Sequence, residues 1–309
     1  MNSSKPLATL FIAFYNQESF VEDAVKGALS QTYENLEIIL SDDCSTDKTF
    51  DEIKKWTQEY VGPHKIIINR NENNLGLVPH INKILFDLSH GDYLFANGGD
   101  DISLPNRIAD GVDYFLKNNS VSGLTFASIY IDGEGKETKR MHLEKDHRYT
   151  ITDKSYLMSK SFMCGSGMFA FKREVLNVFG PLNDDCQTED SCLRFRALLL
   201  GDVIASAKYG VKYRIHGKNM SIGNVIFKLK THPIAEQYRK DLEVVKESIS
   251  PELYAILRKK INYYEINRET ESVLALSSSK VKKVFFRTKQ KIRNIIYKRV
   301  INNFLKYSS

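Results

Sequence analysis

The sequence predicts an α/β protein: a mostly parallel central sheet with helices on both faces, followed by a C-terminal helical extension. Three observations predict it. The first half alternates short apolar runs with segments of helical periodicity, in the order β-α-β-α-β-α-β, which is how parallel sheets are built. Polar and acidic clusters (Tyr15-Asn16, Asp42-Asp43 and residues 98–101) end the apolar runs, where ligands of such sheets lie. From Phe227 onward the pattern is helical alone.

The elements follow in order. Residues 7–14 form an apolar run suited to a buried strand. Residues 18–31 place Phe20, Val21, Ala24, Val25, Ala28 and Leu29 at helical spacing. Residues 36–40 (LEIIL) are a second strand, and Ser45 or Asp47 caps a helix running to about residue 60. Residues 65–69 are a third strand, 78–89 a helix, and 93–96 a fourth strand. Pro105 suits the first turn of a helix over 105–116. The second half is less regular: strands at 124–131, 167–171 and 211–215, and helices at 189–200, 234–248 and 251–267. The organisation expected is a domain over residues 1–225, a helical extension over 226–271 with a short linker at 277–279 beyond it, and a basic amphipathic tail over 272–309.

Composition bounds the function. With 309 residues, 42% hydrophobic and 27% charged, the chain can bury a sizeable core and is not a disordered protein. Seven prolines and 17 glycines exclude a collagen-like chain or a linker. No apolar run reaches the ~18–20 residues that span a bilayer. The N-terminal apolar stretch runs into a polar YNQE, so no signal peptide is read. Cys44, Cys164, Cys186 and Cys192 form no CxxC pair, which favours reduced thiols in a cytosolic protein. The net charge of +6 is uneven: residues 272–309 carry ten Lys or Arg and no acid, which leaves residues 1–271 at −4. A basic tail seeks an anionic surface.

Four clusters carry chemistry. In 41–49 (SDDCSTDKT), adjacent carboxylates at a strand end call for a ligand, a metal or several donors nearby; an acidic turn with a helix cap reads equally well. In 97–101 (NGGDD), paired glycines admit close backbone approach, and the carboxylates suit a hard cation bridging phosphates; a capped loop is the alternative. In 188–190 (TED), a carboxylate opening a helix suits a general base, or simply the helix dipole. In 213–221 (YRIHGKNMS), Arg214 and His216 lie close together after a short strand; a packed or surface histidine is the commoner reading of a lone His.

In combination, the runs TLFIAFYN, ALSQTYENLEIILSDDCSTDKT, NNLGLVPHINKIL, GDYLFANGGDDISLPNRI, SGMFAFKREVLNVFGPLND, TED and YRIHGKNMS, in this order over about residues 6–221, resemble glycosyltransferase family 2 with the GT-A (Rossmann-like) fold. The resemblance implies inverting sugar transfer from a nucleotide-sugar, most simply a UDP-sugar, of the bacterial surface-polysaccharide type. It implies that Asp43 accepts from the base, which suits the imide N–H of uracil or the amino and imino groups of guanine, and that Tyr15 lies over or beside it. It puts Phe14, Asn16, Glu18, Asp42, Asn74, Gly76, Asn82, Gly99 and Arg214 in the nucleotide-sugar site with Asp100. The position before Asn82 is usually basic in the family; here His80 and Ile81 stand there. The family's DxD motif falls on Gly98-Gly99-Asp100, so its first carboxylate is absent. Asp100, Asp101 and His216 are the implied ligands of a divalent metal, Mn²⁺ or Mg²⁺. Asp190 is the implied catalytic base, and Glu189 would bind an acceptor hydroxyl. The donor sugar would be read around residues 161–168.

Residues 280–305 carry Val281, Val284, Phe285, Ile292, Ile295, Ile296, Val300, Ile301 and Phe304 as a helical stripe among Lys and Arg. This reads as binding to an anionic membrane surface, with a terminal helix packed on the body as the alternative. No nucleic-acid reader motif is present. The expected setting is cytoplasmic, peripheral on the inner face of the cell membrane. The expected acceptor is a lipid-linked oligosaccharide in O-antigen or capsule synthesis. A nucleotidyltransferase would need a phosphate loop that FIAFYNQE lacks. A catalytically inactive nucleotide-sugar-binding or scaffolding relative is kept in play by Gly98, against Asp43, Asp100, Asp190 and His216.

Overall fold

The structure is a computed structural model that describes residues 5–159, 161–163, 168–217, 231–276 and 280–307. The chain opens with β1 (Ala8–Phe14), α1 (Val21–Leu29), β2 (Leu36–Asp42), α2 (Thr49–Thr57), β3 (Lys65–Arg70), α3 (Leu77–Lys83) and β4 (Tyr93–Gly98). These match the alternation read from the sequence, and α3 continues as a π-helical turn over Ile84–Leu88. Then come β5 (Ile102–Ser103), α4 (Arg107–Lys117), β6 (Val121–Ile131), β7 (Glu137–Arg140), β8 (His147–Tyr149), α5 (Lys154–Met158), β9 (Phe169–Lys172), α6 (Glu174–Phe179), α7 (Asp190–Leu200) and β10 (Asp202–Arg214). Three helices close the chain: α8 (Thr231–Val244), α9 (Pro251–Leu276) and α10 (Lys280–Tyr307). Residues 218–230 and the 277–279 linker lie outside the described residues.

The sheet runs β3-β2-β1-β4-β9-β6-β10-β5, with β7 on β6 and β8 on β10. The pairs β1–β2, β1–β4, β2–β3 and β6–β10 are parallel, and β9 is antiparallel to both β4 and β6. Alternation along the strands feeds two cores, because successive side chains point to opposite faces. From β1, Leu10, Ile12 and Phe14 pack with Val25 of α1, Ile53 of α2 and Phe115 of α4. On the other face, Phe11 and Ile39 join Val78 of α3, Phe195 of α7, Tyr238 of α8, Leu257 of α9 and Ile301 of α10. Helices therefore cover both faces, as the sequence predicts. The C-terminal helices share a core with the sheet.

One strand is much longer than the sequence pattern shows, and two others are new. β10 begins at Asp202, nine residues before the expected start, because ASAKYG is not apolar as a run and is held by parallel pairing to β6. The charged β7 and the short β8 carry no apolar alternation and were not expected.

Candidate active site

Strand register sets the site. Phe14 of β1 stands opposite Asp42 of β2, and Ala13 opposite Gly98 of β4. The loops after these strands therefore emerge along one edge, at the carboxyl ends of the parallel strands.

The acidic loop is shaped by its own side chains. Buried Asp42 takes the Ser45 N–H at 3.0 Å and the Ser45 hydroxyl. Ser45 Oγ in turn accepts the Asn16 N–H at 2.9 Å. Asn16 sits at φ 51°, in the left-handed region that asparagine tolerates, and its Oδ1 accepts the Thr46 N–H at 2.9 Å. Glu18 accepts the Lys48 N–H at 2.9 Å. Asn16, Glu18 and Asp42 thus clamp the turn after β1 to the loop after β2. Asp43 is buried too: Asn71 Nδ2 and Leu75 N donate to Oδ1 at 2.8 and 2.9 Å, and Gly76 N donates to Oδ2 at 3.0 Å. Gly76 adopts φ 83° to do so. Asn74 Nδ2 donates to Asp43 O at 3.2 Å. Tyr15, by contrast, is 48% exposed.

Asn82 faces elsewhere. Its amide donates to Leu182 O at 2.8 Å and accepts Leu182 N–H at 3.0 Å, which fixes the loop before α7. His80 is buried, with Nε2 2.7 Å from Ser41 Oγ. Burial pushes its pKa below the ordinary value, against the pull of Asp43 and Asp42.

The loop after β4 meets the end of β10. His216 Nε2 lies 2.9 Å from Asp100 Oδ2, across 116 residues of sequence. Asp101 is 1% exposed, and its Oδ1 accepts the Arg214 N–H at 2.8 Å. Burial, and after it the charge of Asp100, push its carboxyl well above the usual range. Gly99 is a packing requirement here, whereas Gly98 meets only carboxylate ends. A Cβ at Gly98 would stand 2.8 Å from Asp100 Oδ1 and 3.2 Å from Asp101 Oδ2. A Cβ at Gly99 would stand 2.5 Å from the Phe14 ring, which is itself buried, and 2.3 Å from Gln17 Oε1. The Asp100 and Asp101 carboxylates thus stand next to the place where the absent first carboxylate would begin.

Arg214 is buried and ties this corner together. Its guanidinium donates to Asp100 O at 2.9 Å, Gly133 O at 3.2 Å and Asp23 Oδ2 at 2.6 Å, and stacks 5.0 Å above the Phe20 ring. Phe20 also lies 4.8 Å from the His216 ring. Phe20 and Asp23 are participants that the sequence reading missed, because both fit the helical pattern of the α1 segment.

At the start of α7, Arg194 Nε donates to Asp190 Oδ1 at 2.6 Å. The Arg194 side chain is buried, while that of Asp190 is 39% exposed. Burial and the neighbouring Asp190 push the Glu189 carboxyl up to about 7. Cys44, Cys186 and Cys192 are free thiols, as the sequence suggests. Cys164 and residues 164–167 of the expected sugar-reading stretch lie outside the described residues.

Of the three expected metal ligands, Asp100 and His216 converge, while Asp101 is turned to Arg214. Among the described residues no group of three metal-ligating side chains forms. One carboxylate and one imidazole still fit a divalent cation whose other ligands are substrate oxygens.

The family model described as glycosyl transferase family 2 matches residues 9–180, more than half of the chain. The chain belongs to that family. It is 26% identical over 227 residues to an uncharacterised glycosyltransferase of Haemophilus influenzae, covering 70% of this chain and 68% of that one. It is 32% identical over 126 residues to the Escherichia coli UDP-Glc:alpha-D-GlcNAc-diphosphoundecaprenol beta-1,3-glucosyltransferase WfaP, covering 41% of this chain and 47% of that one. The match thus spans about half of that relative's length. Among solved structures, S. aureus TarS 1–349 in complex with UDP-GlcNAc aligns with a TM-score of 0.65 at 17% identity, over 97% of this chain and 92% of that one. The mannosyltransferase PcManGT of Pyrobaculum calidifontis, in complex with GDP-Man and Mn²⁺, aligns with a TM-score of 0.55 at 13% identity, over 97% and 87%. These likenesses show the glycosyltransferase GT-A fold.

Proposed function

We propose that this glycosyltransferase is inverting and metal-dependent. It moves a sugar from a UDP-sugar to a hydroxyl of a lipid-linked glycan, in bacterial O-antigen or capsule synthesis. The observation that carries the reading is the meeting of Asp100 and His216 at the carboxyl edge of the sheet, 2.9 Å apart. The UDP donor and lipid-linked acceptor draw support from what WfaP is named for and from the UDP-GlcNAc bound to TarS. Membrane-bound substrate places the enzyme peripherally at the inner face of the cell membrane.

Each residue then has a task. Tyr15 flanks the base, and Asp43 adds the base's imide N–H to the donors it already holds. Arg194 fixes Asp190 Oδ1, so that Oδ2 takes the proton from the acceptor hydroxyl. The hydroxyl oxygen forms its bond to the anomeric carbon as the bond to the diphosphate breaks on the opposite face, and the configuration inverts. Alignment of the two substrates supplies much of the acceleration. Asp100 and His216 would hold the Mn²⁺ or Mg²⁺, whose charge offsets that building on the diphosphate. Asp101 acts through Arg214, keeping the β10 end against the loop after β4. Glu189 binds an acceptor hydroxyl.

The test is a thermal-shift and nucleotide-release panel of nucleotide-sugars, each with Mn²⁺, Mg²⁺ or EDTA. A single donor that stabilises the fold with metal and slowly releases nucleoside diphosphate is the expected result. If no donor shifts the melting point under any condition, the enzymatic reading is wrong and a scaffolding role takes its place.

A further inference from the structure

The amphipathic stripe expected of the tail divides in two among the described side chains, with those of Val281, Val284 and Phe285 lying outside them. On one side of α10, Tyr297 and Ile301 are buried against the body. On another side, Ile292, Ile295 and Ile296 stand 55, 56 and 58% exposed. At ~100° per residue, Ile292, Ile296 and Arg299 follow one another along one line of the helix, with Ile295 beside it. This ridge adjoins two apolar hollows of about 350 and 390 Å³ between α9 and α10, which share Lys259 and Val300. Arg293 and Ile296 line the first, and Glu252 and Phe304 the second.

Three apolar side chains in a row, beside apolar hollows, are more than a scatter of surface residues. Their charge setting selects the occupant. α10 carries ten Lys or Arg over residues 280–307 and no acid, while residues 1–271 are net negative. Exposed Lys291, Lys298 and Arg299 lie beside the ridge, and Lys259 and Arg293 beside the hollows. A carboxylate-rich protein partner would satisfy the cations and leave the isoleucines wet. A bilayer with anionic headgroups satisfies both, with apolar side chains in the acyl boundary and cations at the phosphates.

We propose that the α9–α10 face docks on an anionic lipid surface through Ile292, Ile295 and Ile296, with acyl chains entering the hollows. The docking deepens the proposed function, since it rests on a lipid-linked acceptor for its purpose. It is measured without donor or acceptor, so its failure and that of the transfer reading are told apart.

The experiment is co-sedimentation of the full chain with phosphatidylcholine vesicles, with and without phosphatidylglycerol, at low and high salt. Binding that needs phosphatidylglycerol and weakens with salt is expected. Ile292→Ser, Ile295→Ser and Ile296→Ser together are expected to weaken it about tenfold or more with an unchanged melting curve, since all three sites are more than half exposed. Lys291→Glu with Arg299→Glu is expected to weaken it and to flatten its salt dependence. No binding to anionic vesicles overturns the proposal, as does binding indifferent to the triple variant. A dimer in solution that the triple variant converts to monomer also overturns it, because the face would then belong to a second copy.

Discussion

Asp190 and Glu189 are neighbours in unlike surroundings. Asp190 is partly open to solvent and held by the Arg194 guanidinium, whereas burial lifts the Glu189 carboxyl to about 7. Replacing Asp190 with Asn keeps the shape and removes the proposed proton acceptor. Transfer should fall by about 10²–10⁴-fold, while the melting shift given by a UDP-sugar stays as in the wild type. Glu189 predicts a pH signature instead. Its folded pKa lies above the ordinary 4.5, so the folded state holds the proton between pH 4.5 and about 7 while the unfolded state has released it. The stabilisation this gives is complete below pH 4.5 and is lost as pH rises through about 7. Glu189→Gln removes the titration. Its melting temperature relative to the wild type should therefore be higher at pH 8 than at pH 5, and an equal difference at both would contradict the assigned burial effect.

Elements are locked together by contacts that no periodicity announces. Arg196 of α7 meets Asp241 of α8 in a fully buried two-pronged ion pair, with both hydrogen bonds at 2.9 Å. Gly180 O and Gln237 complete the network at 2.7 and 2.8 Å. Arg196→Met leaves a buried carboxylate without its cation and should cost about 3–5 kcal/mol in urea unfolding. Adding Asp241→Leu should recover most of the loss, because the uncompensated charge goes with it. The same reasoning shows which features were legible. The β1–β4 half could be read, since each strand and helix there carries its own apolar period. The start of β10 could not, because its burial depends on β6, about eighty residues away. At the site, motif order pointed to Asp100 and His216, which the structure brings together. It could not show that Asn82 turns to Leu182, that Asp101 turns to Arg214, or that Phe20 and Asp23 complete the Arg214 corner, because those facts depend on how distant segments meet.

At the scale of the whole molecule, the C-terminal helices bear on the segment that leads into the expected sugar-reading stretch. Lys260 of α9 is buried, and its ammonium donates to Tyr156 O, Ser159 O and Ser161 O at 2.9, 2.8 and 3.0 Å. Tyr297 of α10 stacks on Tyr263 at 4.0 Å, and its hydroxyl donates to Leu157 O at 2.7 Å. Both helices thus hold α5 and the chain that follows it, which a tail serving only as an anchor would not do. Tyr297→Phe removes one buried hydrogen bond and should cost about 1 kcal/mol. Tyr297→Ala also removes the stacked ring and should cost about 3–5 kcal/mol. If residues 156–161 position the donor pocket, Tyr297→Ala should weaken UDP-sugar binding several-fold, whereas Asp190→Asn should not. Titrating the melting shift against donor concentration for both variants separates the two effects. Unchanged donor affinity in a destabilised Tyr297→Ala would confine the C-terminal helices to stability, and weakened affinity would tie the far end of the chain to the sugar site.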